Sequence, residues 1–447
     1  MTTIQPLAGG FPSFTESDWR AAATARRGHP ENETSAGRDA GLLPPRARGA
    51  RAIVGRPAGQ TWHIVERIDS GNAEDVARRV ADAIAGGATG LDLVLPRSRH
   101  PLARRVNADA AGIATGLSDV MPEHLHLRVD AGEPTSAALT PFLDLAAKRG
   151  CDLVWAFDPA ASFALKGGDA ARDDNAIRDA ASAFAERGVG GAAVIADGRI
   201  WHAGGATDEQ ELGIVIATYA SLVRLLKSTD RIGIVLATDS DQFRGIAKFR
   251  AMRLLVARVM EVADLPTPAI RIHAETAWRS LAARDPEMNI LRATAATFAA
   301  VAGGADSICL LPFDSIEENG EAARRLARHA QVILAEEAHV GRVADPGAGA
   351  DAIEALTATL AEAAWKRFQS IESEGGIFAA VAEGALLRDV AEAREARLAR
   401  VARGDVRLIG VNAFRGEAMT ATVKRAPVKR TGPLTYKRLS EPFEAAP

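Results

Sequence analysis

The stretch Ile232–Phe313 opens IGIVLATDSDQFRGIAKFRAMRLLVARVMEVADLPTPAIRIHAETAW and closes AAVAGGADSICLLPF. Three short apolar runs, at 232–237, 269–273 and 307–313, alternate with two helical patterns. In the first helix Phe243, Ala247, Ala251, Leu254, Leu255, Val259 and Val262 recur every three to four residues, which places an apolar stripe on one face. Asp239 or Ser240 is positioned to cap its start, and Pro266 and Pro268 stop it before the next strand. Strands joined by helices at this spacing run parallel through crossover connections.

Outward from this core the same rhythm continues. Eight strand candidates can be read: TWHIVERI, GLDLVLP, HLHLRVD, CDLVWAFD, GAAVIADG, IGIVLAT, AIRIHAE and SICLLPF. A helical pattern follows each, near 73–85, 103–117, 136–148, 176–187, 209–226, 242–262, 289–302 and 322–337. Eight such units predict an α/β fold, a (β/α)8 TIM barrel, over 59–345. An open doubly wound sheet is the runner-up. It would open with a glycine-rich phosphate turn, and Asp69-Ser70-Gly71-Asn72 is not one. Residues 1–58 read as an N-terminal arm with one short helix around Trp19, and Trp19, Leu42 and Leu43 suit it to wrapping on another surface. Two further helical patterns, 352–370 and 378–398, fill a C-terminal helical segment at 346–403, and 404–447 is an extended tail.

With 447 residues and 47% hydrophobic content, the chain can bury a large core. A net charge of −3, without interleaved aromatic and basic residues, argues against nucleic acid. No apolar run reaches the roughly 18 residues that span a bilayer, and the N-terminus has no signal-peptide core, so a cytoplasmic location is expected. Cys151 and Cys309 lie in apolar runs and read as buried, reduced thiols.

Alternation along the strands points to a polar barrel interior. If Leu125, Leu127 and Val129 face the helices, His124, His126, Arg128 and Asp130 point to the axis. Ile270 and Ile272 facing out leave Arg271, His273 and Glu275 inward, and Asp92 also lies on the axial face. Such an interior can be a site in which Arg128, Arg271 and His273 donate to a phosphate or carboxylate of a substrate. It can equally be a self-neutralising ionic network. No histidine or carboxylate set has metal-ligand spacing, so no metal is expected. Trp201-His202 follows the fifth strand, on the side where barrel enzymes place catalytic groups, and His202 is either a general acid or base or a polar loop residue.

Three runs carry a resemblance: LATDSDQFRGIAKFRAMRLLVARV (236–259), RIHAETAWRSLAARDPEMNILRATAATFAAVAGGADSICLLPFD (271–314) and ARRLARHAQVILAEEAHVGRVADP (323–346). Over about 59–412 the chain resembles the methylmalonyl-CoA mutase family. TWHIVERID, WHAGGATDEQELG and the closing LSEPFEAAP make it most similar to the small (β) subunit. The resemblance implies a coenzyme B12-dependent isomerase complex. Its catalytic large subunit threads the pantetheine arm of an acyl-CoA along the barrel axis and carries adenosylcobalamin on a separate domain, through the histidine of a D-x-H-x-x-G motif. The small subunit is the non-catalytic partner in a heterodimer, binding no cofactor itself.

Departures from the catalytic pattern assign the copy. No histidine here lies in D-x-H-x-x-G, only Tyr219 and Tyr436 are tyrosines, and DPAASFALKGGD stands where the family has Q-G-T-x-Q-N-D. Trp201-His202 aligns with the family's substrate-facing Tyr-His pair, followed by a tight AGGAT loop, so His202 reads as a catalytic remnant. Large polar residues on the axial face are expected to plug the bore, and the arm and tail to wrap the large subunit. The alternatives are an acyl-CoA mutase barrel that is catalytic with a separate cobalamin-binding chain, or an unrelated barrel lyase. The latter lacks a lysine cluster, with only Lys166 in a suitable loop.

Overall fold

The computed structural model describes residues 15, 17, 18, 53 and 55–444, apart from 103, 134, 169–172, 318–319 and 416–433. The strands are β1 (His63–Ile68), β2 (Gly90–Val94), β3 (His126–Asp130), β4 (Leu153–Trp155), β5 (Gly191–Ala192), β6 (Val194–Asp197), β7 (Ile232–Thr238), β8 (Ile272–Thr276) and β9 (Ser307–Cys309). All ladders are parallel, in the order β5-β4-β3-β2-β1-β9-β8-β7-β6. β5 and β6 are the two halves of the fifth expected strand. They part at Ala193, whose amide and that of Val194 both donate to Arg231 O. β5 pairs with β4 and β6 with β7, and the Ile195 amide donates to Phe157 O at 2.9 Å, so the ring closes as a (β/α)8 barrel.

The helices are α1 (Ala73–Ala85), α2 (Ala110–Leu117), α3 (Ser136–Arg149), α4 (Pro159–Leu165), α5 (Asp174–Glu186), α6 (Gly198–Gly204), α7 (Asp208–Leu226), α8 (Gln242–Val262), α9 (Met288–Ala302), α10 (Glu321–Glu336), α11 (Asp351–Ser373), α12 (Ile377–Ala382), α13 (Ala385–Arg403) and α14 (Glu441–Glu444). The sequence pattern missed α4 and α6, both short helices that start on an aspartate at or shortly past the end of a strand. Asp158 and Asp197 each cap their own helix through the side chain. It also read 378–398 as one helix. Gly384, at φ 75, breaks it into α12 and α13.

The stripe read on α8 is only partly buried. Phe243, Leu254 and Val262 are exposed, whereas Lys248, Arg250 and Arg253 are buried. The reason is a second helical layer: α11 packs along both α7 and α8 and covers their outer sides. Arg250 pairs there with Asp345 at 3.0 Å and Glu354 at 2.8 Å, and Arg253 with Asp306 at 2.8 Å. The helix cap is Asp241, neither Asp239 nor Ser240. Cys151 and Cys309 are buried and free.

The arm expected over 1–58 lies almost wholly outside the described residues. At its end Arg56 is buried against the carbonyls of Val301 and Ala305, beneath the barrel. The tail was expected to wrap a partner. Residues 434–444 instead cross the C-terminal mouth of this chain's own barrel. Leu434 is buried, Tyr436 Oη donates to Arg99 O at 3.3 Å, and the Leu439 amide donates to Arg279 O at 2.9 Å.

Candidate functional site

The axis of the barrel is the candidate site, and its two sides differ. On β4, β6 and β7 the inward residues Val154, Ala156, Ile195 and Val235 form a small apolar cluster. On β1, β2, β3 and β8 the register sets Arg67, Asp92 and Arg128 side by side, with Glu275 on β8.

Glu275 is the hub. Its carboxylate accepts from Arg199 Nη1 at 2.9 Å, lies 3.6 Å from Arg67 Nη1, and takes a short contact from His100 Nε2. Those three side chains come from α6, β1 and the loop after β2. Arg67 also meets Asp92 at 3.3 Å and Asp69 at 3.4 Å, while Arg199 meets Asp197 at 2.7 Å and Asp130 at 3.8 Å. Every one of these side chains is at most 6% exposed. Burial pushes the Glu275 carboxyl up, but the contacts with His100, Arg199 and Arg67 outweigh it and hold it well below the usual carboxylate range. Burial, then Arg67, keep His100 neutral. Its Nδ1 accepts from the Leu102 amide at 3.1 Å, which leaves the proton on Nε2 for Glu275. Burial raises the Asp158 carboxyl to about 7 at the same end of the barrel.

The sequence-predicted residues divide. Arg128 and His273 face the axis, 1% and 3% exposed. Arg271 precedes β8, stands 66% exposed at the floor of the barrel, and pairs with Asp152 ahead of β4. His124 is exposed too, in a turn at φ 60, with Nδ1 2.9 Å from Gly150 O. Alternation held within the ladders and at Arg271, which is axial but exposed at the floor, and failed at His124, two residues ahead of β3 in a turn. Arg67, Asp69, His100 and Arg199 were missed. Arg67 was legible as the alternate neighbour of His63 and Val65, but the outward Glu66 masked the pattern. Glu66 faces α10, where it meets Arg328 and Arg324.

His202 is not in a loop. It sits on α6, 1% exposed, and its Nδ1 is 2.8 Å from Glu211 Oε2. Lys248 Nζ reaches the same oxygen at 2.6 Å and Asp208 at 3.1 Å. Burial, then Arg279, Lys248 and Arg397, hold the imidazole well below its ordinary value, and burial lifts the Glu211 carboxyl to about 7. His202, Asp208 and Glu211 bring ligand atoms within 4.8 Å of one another, but the cation already lying between Asp208 and Glu211 is the Lys248 ammonium. Asp239 lies 3.9 Å from His202 Nε2 and is paired with Arg279. Arg279 in turn holds the His202 carbonyl at 3.2 Å.

The segment 434–444 lies over this end. Leu434 fits because Gly204 lacks a Cβ, which would stand 2.5 Å from its Cδ1. Tyr436 packs edge-on against Trp278, and Arg438 binds Glu444 and the Leu281 carbonyl. Below it, a cavity of about 20 Å³ is lined by His100, Asp130, Phe157, Asp158 and Asp197, room for one water. No helix among the described residues is long and apolar enough to cross a membrane.

Comparison with known proteins agrees with this architecture. A family model described as methylmalonyl-CoA mutase matches residues 176–440. The methylmalonyl-CoA mutase small subunit of Propionibacterium freudenreichii subsp. shermanii is 35% identical over 321 residues, 68% of this chain and 49% of that protein. The probable methylmalonyl-CoA mutase small subunit of Mycobacterium tuberculosis (strain ATCC 25618 / H37Rv) is 39% identical over 256 residues, 54% of this chain and 41% of its own length. A protein of Rhizobium meliloti (strain 1021) named methylmalonyl-CoA mutase is 34% identical over 264 residues, 54% of this chain and 37% of that protein. The chain thus spans half or less of the length of these curated relatives. With more than half of its residues matched by the family model, the chain belongs to the methylmalonyl-CoA mutase family.

Proposed function

We propose that this chain is the small, non-catalytic subunit of a cytoplasmic, coenzyme B12-dependent methylmalonyl-CoA mutase. It pairs as a heterodimer with a larger catalytic chain that carries adenosylcobalamin and interconverts methylmalonyl-CoA and succinyl-CoA. The observation that carries this is the filled axis. A pantetheine arm needs a bore lined by small side chains, and Arg67, Asp92, Arg128, Arg199 and Glu275 occupy it here as paired, buried ions. The mouth supports the same reading for the cofactor. Residues 434–444 lie across it, and the cavity lined by His100, Asp130 and Asp158 holds about 20 Å³, far too little for a corrin ring. The names of the small-subunit relatives support the same role.

On this reading the outside of the barrel docks, and the inside supplies rigidity. Co-expression with a catalytic large subunit of the family tests it. The two chains should co-elute, isomerase activity should require the large chain, and coenzyme A should give no thermal shift with this chain alone. Turnover by this chain unaided, or coenzyme A bound along its axis, would overturn the reading.

A further inference from the structure

We propose that the lower half of the barrel is an internal binding site for one small inorganic anion of halide or nitrate size. The inference does not depend on the subunit assignment. It rests on buried donors that face the axis and find no acceptor among the described residues. Arg128 on β3 is 1% exposed, and its Nε and Nη2 make no hydrogen bond. Asp92, its partner in the ionic network, lies 3.7 Å away and is shared with Arg67 at 3.3 Å. Two residues earlier on the same face, both ring nitrogens of His126 are unbonded at 6% exposure. His273 on β8 engages Ser307 Oγ through Nδ1 at 2.8 Å and leaves Nε2 unbonded.

The neighbours are small or basic. His63 stacks on His126 with centroids 4.8 Å apart, across Gly90 of β2. A Cβ on Gly90 would come within 3.3 Å of the His126 Cβ. Burial and the nearby arginines hold His63, His126 and His273 below their ordinary values, so the charge here is that of Arg128, with Arg271 at the floor. Unbonded guanidinium nitrogens can only donate, so the missing partner is an acceptor. Asp92 balances part of the Arg128 charge at 3.7 Å without accepting a hydrogen bond from it, so an anion would supply the acceptor that Nη2 lacks. The Arg67, Glu275 and Arg199 contacts lie on the axis above and the Arg271–Asp152 pair spans the ring below, which limits the ligand to a single small ion and excludes a chain.

Crystals of the full-length chain soaked in sodium bromide test the site. The expected result is an anomalous peak in contact with Arg128 Nη2 and with His126 or His273. Density there without anomalous signal, which means water, or bromide confined to the surface, would overturn the proposal. In solution, bromide should raise the wild-type Tm saturably relative to gluconate at equal ionic strength. That rise should vanish in Arg128→Gln and in His273→Asn. If Arg128→Gln does not fold, His273→Asn carries the comparison. An equal response in wild type and variant counts against the site.

Discussion

Glu275 shows how a single carboxylate can close a barrel from within. If it were removed, His100 Nε2 would lose its acceptor, and Arg67 and Arg199 would each lose one of their counter-ions. Glu275→Leu should therefore cost about 3–5 kcal/mol, because Arg67 and Arg199 lose a common counter-ion while buried. Urea unfolding measures this, and a loss below about 1 kcal/mol would show that the network holds without its hub. His126 makes a separate prediction about pH. Burial, then His63, Arg128 and Arg271, keep the folded imidazole well below 6.5, so it stays neutral while the unfolded chain takes up a proton. The unfolded state then binds more protons, and stability present above pH 6.5 is lost as pH falls, by up to about 1.4 kcal/mol per pH unit. His126→Phe removes this contribution. The wild type should lose up to about 2 kcal/mol more than this variant between pH 7 and 5, and identical losses would show that His126 does not contribute.

Among the elements, the segment 434–444 departs furthest from its appearance in sequence. Its polar, proline-flanked composition looks like a surface tail. Yet Leu434 is 1% exposed, Arg438 is 5% exposed, and the Lys437 and Leu439 amides donate to the carbonyls of Ala203 in α6 and Arg279 after β8. Leu434→Ala should cost about 2–5 kcal/mol, the range for a buried leucine whose cavity cannot collapse. A change within about 0.5 kcal/mol in urea unfolding would mean that the segment rests on the mouth without holding to it. Helix α8 makes the converse point. Arg250 is buried because α11 supplies Glu354 and the loop before it supplies Asp345, while Lys248 and Arg253 find Glu211 on α7 and Asp306 before β9. A hydrophobic stripe predicts burial only where one face of a helix is covered, and α8 is covered on two.

At the scale of the whole molecule the barrel is closed three times: by Arg271 and Asp152 at the floor, by the ionic layer around Glu275, and by 434–444 at the mouth. That closure is the observation behind the proposed docking role. The sequence by itself determined the repeating strand and helix, because hydrophobic period is a local property that each segment carries alone. It also determined that Asp92, Arg128, His273 and Glu275 face the axis, because alternation is fixed wherever a ladder is paired. Only the tertiary structure decided which charges meet. Arg199, His100 and Arg67 reach Glu275 from separate segments, and no spacing along a chain encodes a distance across a ring. The same holds at the ends of the strands. There, Arg271 at the floor and His124 in its turn are exposed because the ladders that bury the axial side chains have not yet begun.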